Sequence, residues 1–222
     1  MWLTMERERL EFVRQFPVKS FSKGETILYE GQPSSTILAV QSGFIKITSL
    51  SESGIERIIA FAGPDNMVPI EQLFSTKGFL WFFYTALSDC KVYKVDKAQF
   101  LAFTQKTPIL MIEMAKRMSV YHDDLLVRLD SVGRMGVRNK LIFTLCYLAK
   151  RFGTSSLVDL HKLDLRLTHQ DISEMIGSTR ETTSVELHKL LVEGGVKYDH
   201  SQFVINVPRL EELQTQPGVR RT

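Results

Sequence analysis

Cysteine is scarce in this 222-residue chain, which holds only Cys90 and Cys146. Two thiols close at most one bridge and are too few for a multi-cysteine metal or iron–sulfur site. The chain therefore reads as a reduced, cytoplasmic protein. Long apolar runs are missing too. The longest, Gly78 to Leu87, is about half of what a membrane-crossing helix needs. Glu6, Arg7, Glu8, Arg9 and Glu11 interrupt the N-terminal segment, so no basic start leads into an apolar run and a secretory leader is not expected. There is no glycine-rich phosphate loop with Lys and no Gly-x-Ser-x-Gly elbow, and no constellation that supports an enzyme. Internal repeats and low-complexity tracts are also absent.

What remains is a globular composition, 44% hydrophobic and 24% charged, long enough for one large domain or two small ones. Net charge is +3, and all of the excess is C-terminal: residues 1–133 hold 15 Lys/Arg against 15 Asp/Glu, residues 134–222 hold 13 against 10. A bias this weak permits nucleic-acid binding without establishing it.

Three periodicities divide the chain into residues 1–106, 107–133 and 134–222. Over residues 18–103, short β-branched and aromatic runs predict strands at Thr26–Tyr29, Ile37–Val40, Phe44–Ser49, Arg57–Phe61, Phe82–Leu87 and Lys91–Val95. Gly24, Gly31, Gly43, Gly54 and Gly63 mark turns, and Ser51-Glu52-Ser53-Gly54 is a hairpin tip. Many short strands with glycine turns suggest a small sandwich or barrel. Residues 107–132 predict one long helix, capped by Thr107 with Pro108 in its first turn. Met111, Met114, Met118, Tyr121, Leu125, Leu129 and Val132 share one stripe of it, either a face packed on the β domain or a coiled-coil-like dimer seam. Gly133 and Gly136 form a hinge. A helix resumes over 137–152 with Leu141, Ile142, Leu145, Leu148 and Ala149 on one face, and Gly153-Thr154-Ser155-Ser156 reads as a loop.

Residues 168–193 carry the most information. Thr168-His169-Gln170-Asp171 forms a capping box, Ile172, Met175 and Ile176 give a short helix its apolar face, and Gly177 ends it. Ser178-Thr179-Arg180-Glu181 reads as a second box, followed by a helix with Thr183, Leu187, Leu190 and Leu191 inward and Gly194-Gly195 as its stop. Two short helices around a glycine turn make a helix-turn-helix. The N-terminal end of a recognition helix enters the major groove, where Arg180 can bond guanine and Glu181 can accept from cytosine. Thr179, Thr182 and Ser184 support them. His169, Gln170 and Ser178, with the Thr168 cap, lie where phosphates would be held. Val196–Tyr198 and Phe203–Val207, around Asp199-His200-Ser201-Gln202, form a wing.

On these residues the chain resembles the CRP/FNR family of bacterial transcription regulators. Phe21-Ser22-Lys23-Gly24-Glu25 with Gly31, then Val40-Gln41-Ser42-Gly43-Phe44-Ile45-Lys46, is similar to the opening of the family's cyclic-nucleotide-binding-type β-roll. Residues 107–132 are similar to its dimerisation helix. Leu167 through Thr182 is similar to its helix-turn-helix, most of all in the cyanobacterial nitrogen-control branch. The resemblance covers residues 20–210. It implies an α+β fold: a jelly-roll-like β-roll, a long dimerisation helix and a C-terminal winged helix-turn-helix. It further implies a homodimer on a double-stranded, inverted-repeat DNA operator, a small-molecule effector in the roll, and RNA polymerase as partner if the protein activates. It also favours the dimer seam for the 111–132 stripe.

The chain departs from the family in three ways. Val185 stands where many members carry a third base-contacting Arg, and Glu186 follows where an apolar residue is usual. The operator should therefore differ or be read less strictly, with Thr179, Ser184 and His188 as candidates to compensate. In Val68-Pro69-Ile70-Glu71-Gln72-Leu73, Ile70 replaces the Gly before the cassette Glu, and no Arg-Ser pair follows, so cyclic AMP is not expected to bind tightly. No N-terminal cysteine cluster exists for iron and sulfur. His122 is the only histidine before residue 161, which leaves haem poorly supported.

Effector-pocket candidates are Glu71, Gln72, Trp81, Phe83, Arg117 and Tyr121. Trp81-Phe82-Phe83-Tyr84 reads either as an aromatic lining or as a buried strand. Arg117 could meet an acidic effector such as 2-oxoglutarate, but no second matching Arg joins it. His122-Asp123-Asp124 reads as a solvated helix face, since adjacent helical residues point about 100° apart and converge poorly on one metal ion. The alternative to a regulator is a ligand-sensing roll with a degenerate DNA-binding head, motivated by Val185 and Glu186.

Overall fold

The computed structural model describes the backbone of residues 2–33, 35–75, 78–134, 136–157 and 159–215, and their side chains except at 2–7, 117, 124, 127–134, 155–157 and 215. The chain forms two compact units, Met1–Asp124 and Leu125–Thr222, with the boundary inside one long helix.

The first unit contains α1 (Trp2–Val13), β1 (Val18–Phe21), β2 (Thr26–Leu28), β3 (Thr36–Ser42), β4 (Ile45–Leu50), β5 (Glu56–Ala62), β6 (Met67–Val68), a 3₁₀ turn (Ile70–Leu73), β7 (Phe83–Ala86), β8 (Cys90–Asp96), α2 (Lys97–Lys106) and the start of α3 (Pro108–Arg134). Its strands pair antiparallel in two four-stranded sheets, ordered β1-β8-β3-β6 and β2-β7-β4-β5. All six strands expected from alternation are present, each within two residues of its expected ends. Residues 97–103, expected to continue the β region, are helical instead. Asp96 accepts the N–H of Gln99 and starts α2 there.

Strand β3 organises this unit. Side chains alternate across a strand. Leu38 and Val40 join Phe21, Ile45, Ile47, Tyr84, Ala86 and Val92 between the sheets. Ile37 and Ala39 face the other way, beside Val95 of β8 and onto Val13, Phe100, Leu110 and Met114 of the flanking helices. The hairpin tip is as expected: Gly54 donates to the Ser51 carbonyl at 2.9 Å, joining β4 to β5. Around residues 63–66 the left-handed position is held by Asp65 (φ 65), not by the expected glycine.

Helix α3 starts where Pro108 allows, and the Thr107 carbonyl accepts from Leu110 at 2.9 Å. The expected stripe does not face one way. Met114 is buried in the core of its own β unit, Met111, Met118 and Tyr121 are half-buried, and Leu125 is exposed. The side chains of Leu129 and Val132 lie outside the described residues. Among the described residues, the exposed large apolar residues of α3 are Ile109, Ile112, Val120, Leu125 and Leu126. Periodicity locates a stripe but cannot say what it faces, and here the β unit takes Leu110 and Met114. Among the described residues no helix is long and apolar enough to cross a membrane.

The second unit contains α4 (Val137–Phe152), β9 (Gly153–Leu157), β10 (Leu160–Leu163), α5 (His169–Ile176), α6 (Arg180–Val192), β11 (Val196–Asp199), β12 (Gln202–Asn206) and α7 (Val207–Thr215). The expected face of α4, Leu141, Ile142, Leu145, Leu148 and Ala149, is fully enclosed. Residues 153–156, expected as a loop, are the edge strand β9 of a sheet ordered β11-β12-β10-β9. Their polar, β-neutral sequence carries no strand signal, and pairing with β10 supplies it.

One glycine tests the packing of the roll. A Cβ on Gly43 (φ +79) would lie 2.3 Å from the Asp89 carbonyl oxygen, whereas one on Gly54 (φ +79) meets nothing within 4 Å. Gly54→Ala should cost only the left-handed penalty, roughly 1–2 kcal/mol. Gly43→Ala should cost roughly 2–5 kcal/mol, adding an overpacking term. Denaturant unfolding of the two variants checks the difference.

Candidate nucleic-acid interface

The surface begins at two helix ends. Thr168 caps α5: its hydroxyl accepts from Asp171 N–H at 3.1 Å, and Asp171 accepts from Thr168 N–H at 2.8 Å, closing the expected box. Gly177 then takes the left-handed conformation (φ 67, ψ 48), which a side chain would strain, and the chain turns into α6. The second box is not formed. Thr179 alone caps α6, accepting from Thr182 N–H at 3.1 Å and bonding the Thr182 hydroxyl at 2.9 Å. Thr182, not Glu181, sits at the third helical position, so the Glu181 side chain is not drawn back to the cap. Each such cap is worth about 1 kcal/mol.

One face of α6 is anchored by Thr183, Leu187 and Leu190, all buried. Leu191, expected inward, is 37% exposed, because it lies about 100° round the helix from Leu190. The anchored face leaves Thr179, Arg180, Glu181, Thr182, Val185 and His188 exposed. Of the other expected contact residues, Thr168 and Gln170 are exposed at the start of α5, where the Gln170 amide donates to Glu174 at 2.9 Å. Ser178 is half-buried in the turn, its N–H given to the Ser173 carbonyl at 3.0 Å.

His169 is not a free phosphate donor. Its Nδ1 lies 2.8 Å from Ser184 Oγ on α6, and its Nε2 lies 2.9 Å from Tyr198 Oη on β11. A neutral imidazole has one N–H and one lone pair, and each hydroxyl can take either role, so both bonds form without a charge. The ring therefore ties both helices of the motif to the wing and engages the Ser184 hydroxyl. Burial lowers the His169 pKa below 6.5, and the adjacent Arg180 charge lowers it further. The wing turn has positive φ at His200 (46) and Ser201 (67), the pattern of a tight two-residue hairpin. Lys162 holds it through Asp199 at 2.6 Å, and this bond, with a further one from His200, keeps the Asp199 carboxyl below its usual range.

Sequence reasoning missed two residues. Tyr198 carried no signal as the partner of His169, 29 residues away in the chain. Arg138 of α4 explains Glu186, whose side chain is only 15% exposed: its carboxylate meets Lys189 at 2.6 Å and Arg138 at 3.8 Å. Arg138 also pairs with Glu193. The acid in an expected apolar position is thus compensated by a cation from another helix.

The effector candidates do not form one lining. Strand alternation sends Tyr84 inward while Phe83 stays half-buried, and Trp81 is 45% exposed with its ring 5.2 Å from Phe79. Glu71 is exposed yet accepts from the buried Tyr84 hydroxyl at 3.1 Å. Burial, then Glu71, raises the Tyr84 pKa. Gln72 is buried, its amide donating to the Phe79 carbonyl at 3.2 Å. Tyr121 lies half-buried on α3, and the Arg117 side chain lies outside the described residues. His122 and Asp123 are well exposed, and among the described residues no cluster of His, Cys, Asp and Glu could hold a metal. Cys90 and Cys146 are buried free thiols.

The His169 environment makes a pH prediction. Its imidazole should titrate with a midpoint below 6.5 by NMR, and Arg180→Ala should raise that midpoint part of the way back, because burial, the larger cause, remains. A folded-state value below the unfolded one means His169 costs no stability above pH 6.5 and lowers stability as pH falls below it.

Two family models match this chain: a cyclic nucleotide-binding domain over residues 18–107 and a Crp-like helix-turn-helix domain over residues 139–215. The chain is 26% identical to a global nitrogen regulator of Synechococcus elongatus over 189 residues, 82% of each chain. It is 24% identical to a CRP-like cAMP-activated global transcriptional regulator of Mycobacterium tuberculosis over 199 residues, 87% of this chain and 85% of that one. A CooA variant from Carboxydothermus hydrogenoformans shares the fold with a TM-score of 0.75 at 20% identity, covering 92% of this chain and 90% of its own. With both units matched by family models in the expected order, and with the helix-turn-helix geometry in place, the chain belongs to the CRP/FNR family of DNA-binding transcription regulators, which are not enzymes.

Proposed function

We propose that the protein acts as a homodimer on an inverted-repeat operator, and that cyclic AMP does not control it. The observation that carries this reading is the free N-terminal end of α6, where Arg180 and Glu181 stand exposed side by side while Thr183, Leu187 and Leu190 hold the helix from behind. Arg gives two hydrogen bonds to guanine, and Glu accepts from cytosine N4. A two-fold dimer presents two such ends, about 34–36 Å apart for successive major grooves, and so reads an inverted repeat. The apolar residues Ile109, Ile112, Val120, Leu125 and Leu126 on α3 support self-association, since water contact is unfavourable for them.

The relatives differ in control: one is named cAMP-activated, another a global nitrogen regulator. Against cyclic AMP stand Ile70, the missing Arg-Ser pair, and the Tyr84 hydroxyl already bonded to Glu71. A cyclic phosphate needs a fixed positive charge and free N–H donors. Haem and iron–sulfur clusters have no part in this reading. An effector, where one acts, is a small molecule of another kind, and the protein works in the cytoplasm. RNA polymerase is a partner where the operator's position relative to a promoter makes the protein an activator.

Selection of random duplex DNA on the purified protein, without added ligand, should enrich an inverted repeat. Arg180→Ala should lose roughly 1–3 kcal/mol of base discrimination in each half-site. Only weak, salt-sensitive binding should remain. Full specificity in Arg180→Ala would overturn the assignment. Titration calorimetry should detect no micromolar affinity for cyclic AMP.

A further inference from the structure

Val185 is the exposed apolar residue of α6 that lies nearest its N-terminal end, ahead of Leu191 and Val192. It is 55% exposed, although nothing polar on it favours water contact. It lies one turn beyond Glu181, and four- and three-residue steps continue the ridge through His188 to Val192. A β-branched residue on an exposed helical position also lowers helix propensity. Its neighbour Glu186 does not share this surface, because Lys189 and Arg138 draw the carboxylate inward. Ser184, on the other side, gives its hydroxyl to His169. Position 185 therefore presents two methyl groups on a surface shared with Glu181 and His188, while the two residues adjacent to it in sequence are engaged elsewhere.

In the major groove one base alone offers an apolar group, the C5-methyl of thymine. We infer that Val185 reads a thymine methyl in each operator half-site, displaced along the groove from the base pairs met by Arg180 and Glu181. The inference rests on the DNA-binding reading above and adds to it a named base and a named contact. It also gives Val185 a role other than loss of a contact: guanine recognition by a charged fork is exchanged for thymine recognition by apolar fit. The Arg138–Glu186 pair answers the charge of the acid that follows Val185 in sequence.

The test uses the full chain and the duplex enriched from a random pool. Each thymine of that duplex is replaced in turn by deoxyuridine, which removes the methyl and leaves every hydrogen-bonding edge intact. At one thymine per half-site, the wild type should weaken about fourfold, the worth of one buried carbon. Val185→Ala should bind the thymine duplex more weakly and be indifferent to deoxyuridine there, while keeping the wild-type response elsewhere. Because Val185 is exposed, the variant keeps its fold, which thermal unfolding checks. A second selection on Val185→Arg should shift the enriched base at that position from thymine to guanine. An enriched operator with no methyl-sensitive thymine, or one equally sensitive in Val185→Ala, overturns the Val185 contact and leaves the regulator reading intact. No enriched sequence at all overturns both.

Discussion

Burial of one face of α6 governs what the other face can present. Thr183, Leu187 and Leu190 are closed off from water, so the helix cannot rotate about its axis without exposing them. That constraint aims Arg180, Glu181 and Val185 outward. It also sets the demands on the turn before it. A chain that must leave α5 and re-enter a helix within three residues needs a left-handed step, and Gly177 supplies it. Caps at Thr168 and Thr179 satisfy the N–H groups that the two helix starts leave open.

The His169 ring adds a second constraint by joining α5, α6 and the wing through two hydroxyls. A histidine at a nucleic-acid surface invites an assignment to phosphate. Here it acts within the protein, as a neutral bridge kept neutral by burial and by Arg180. Glu186 follows the same logic. An acid near a polyanion is unfavourable unless a cation answers it, and Arg138 and Lys189 do so from two helices. The acid at a position where an apolar residue was expected thus has its cations in place.

In the β unit the decisive feature is a strand buried on both faces. Because β3 contributes to the roll and to the helical layer at once, the start of α3 is committed to its own unit through Leu110 and Met114. The aromatic run near β7 is divided in the same way: alternation puts Tyr84 into the core and leaves Trp81 at the surface, so the run does not act as one lining.

Much of this was legible in the sequence. Six strands were located by short β-branched and aromatic runs set between glycine turns, because such residues suit a pleated surface and glycine suits the turns. The capping box, Gly177 and the α4 face were legible because each rests on chemistry within a few residues. What local chemistry does not encode was decided by tertiary structure. β9 is a strand only because β10 pairs with it. Thr182 rather than Glu181 completes the second cap, because the true helix start set the register. Met114 faces inward because the β unit lies against it. Partners distant in sequence, His169 with Tyr198 and Glu186 with Arg138, meet only once the helices cross, since side-chain bonds depend on distance in space and not along the chain. The sequence by itself determined six strands of the roll, the helices α3 to α6, the turn between α5 and α6, and the family. Only the tertiary structure decided which side chains face out, because that depends on what each helix packs against.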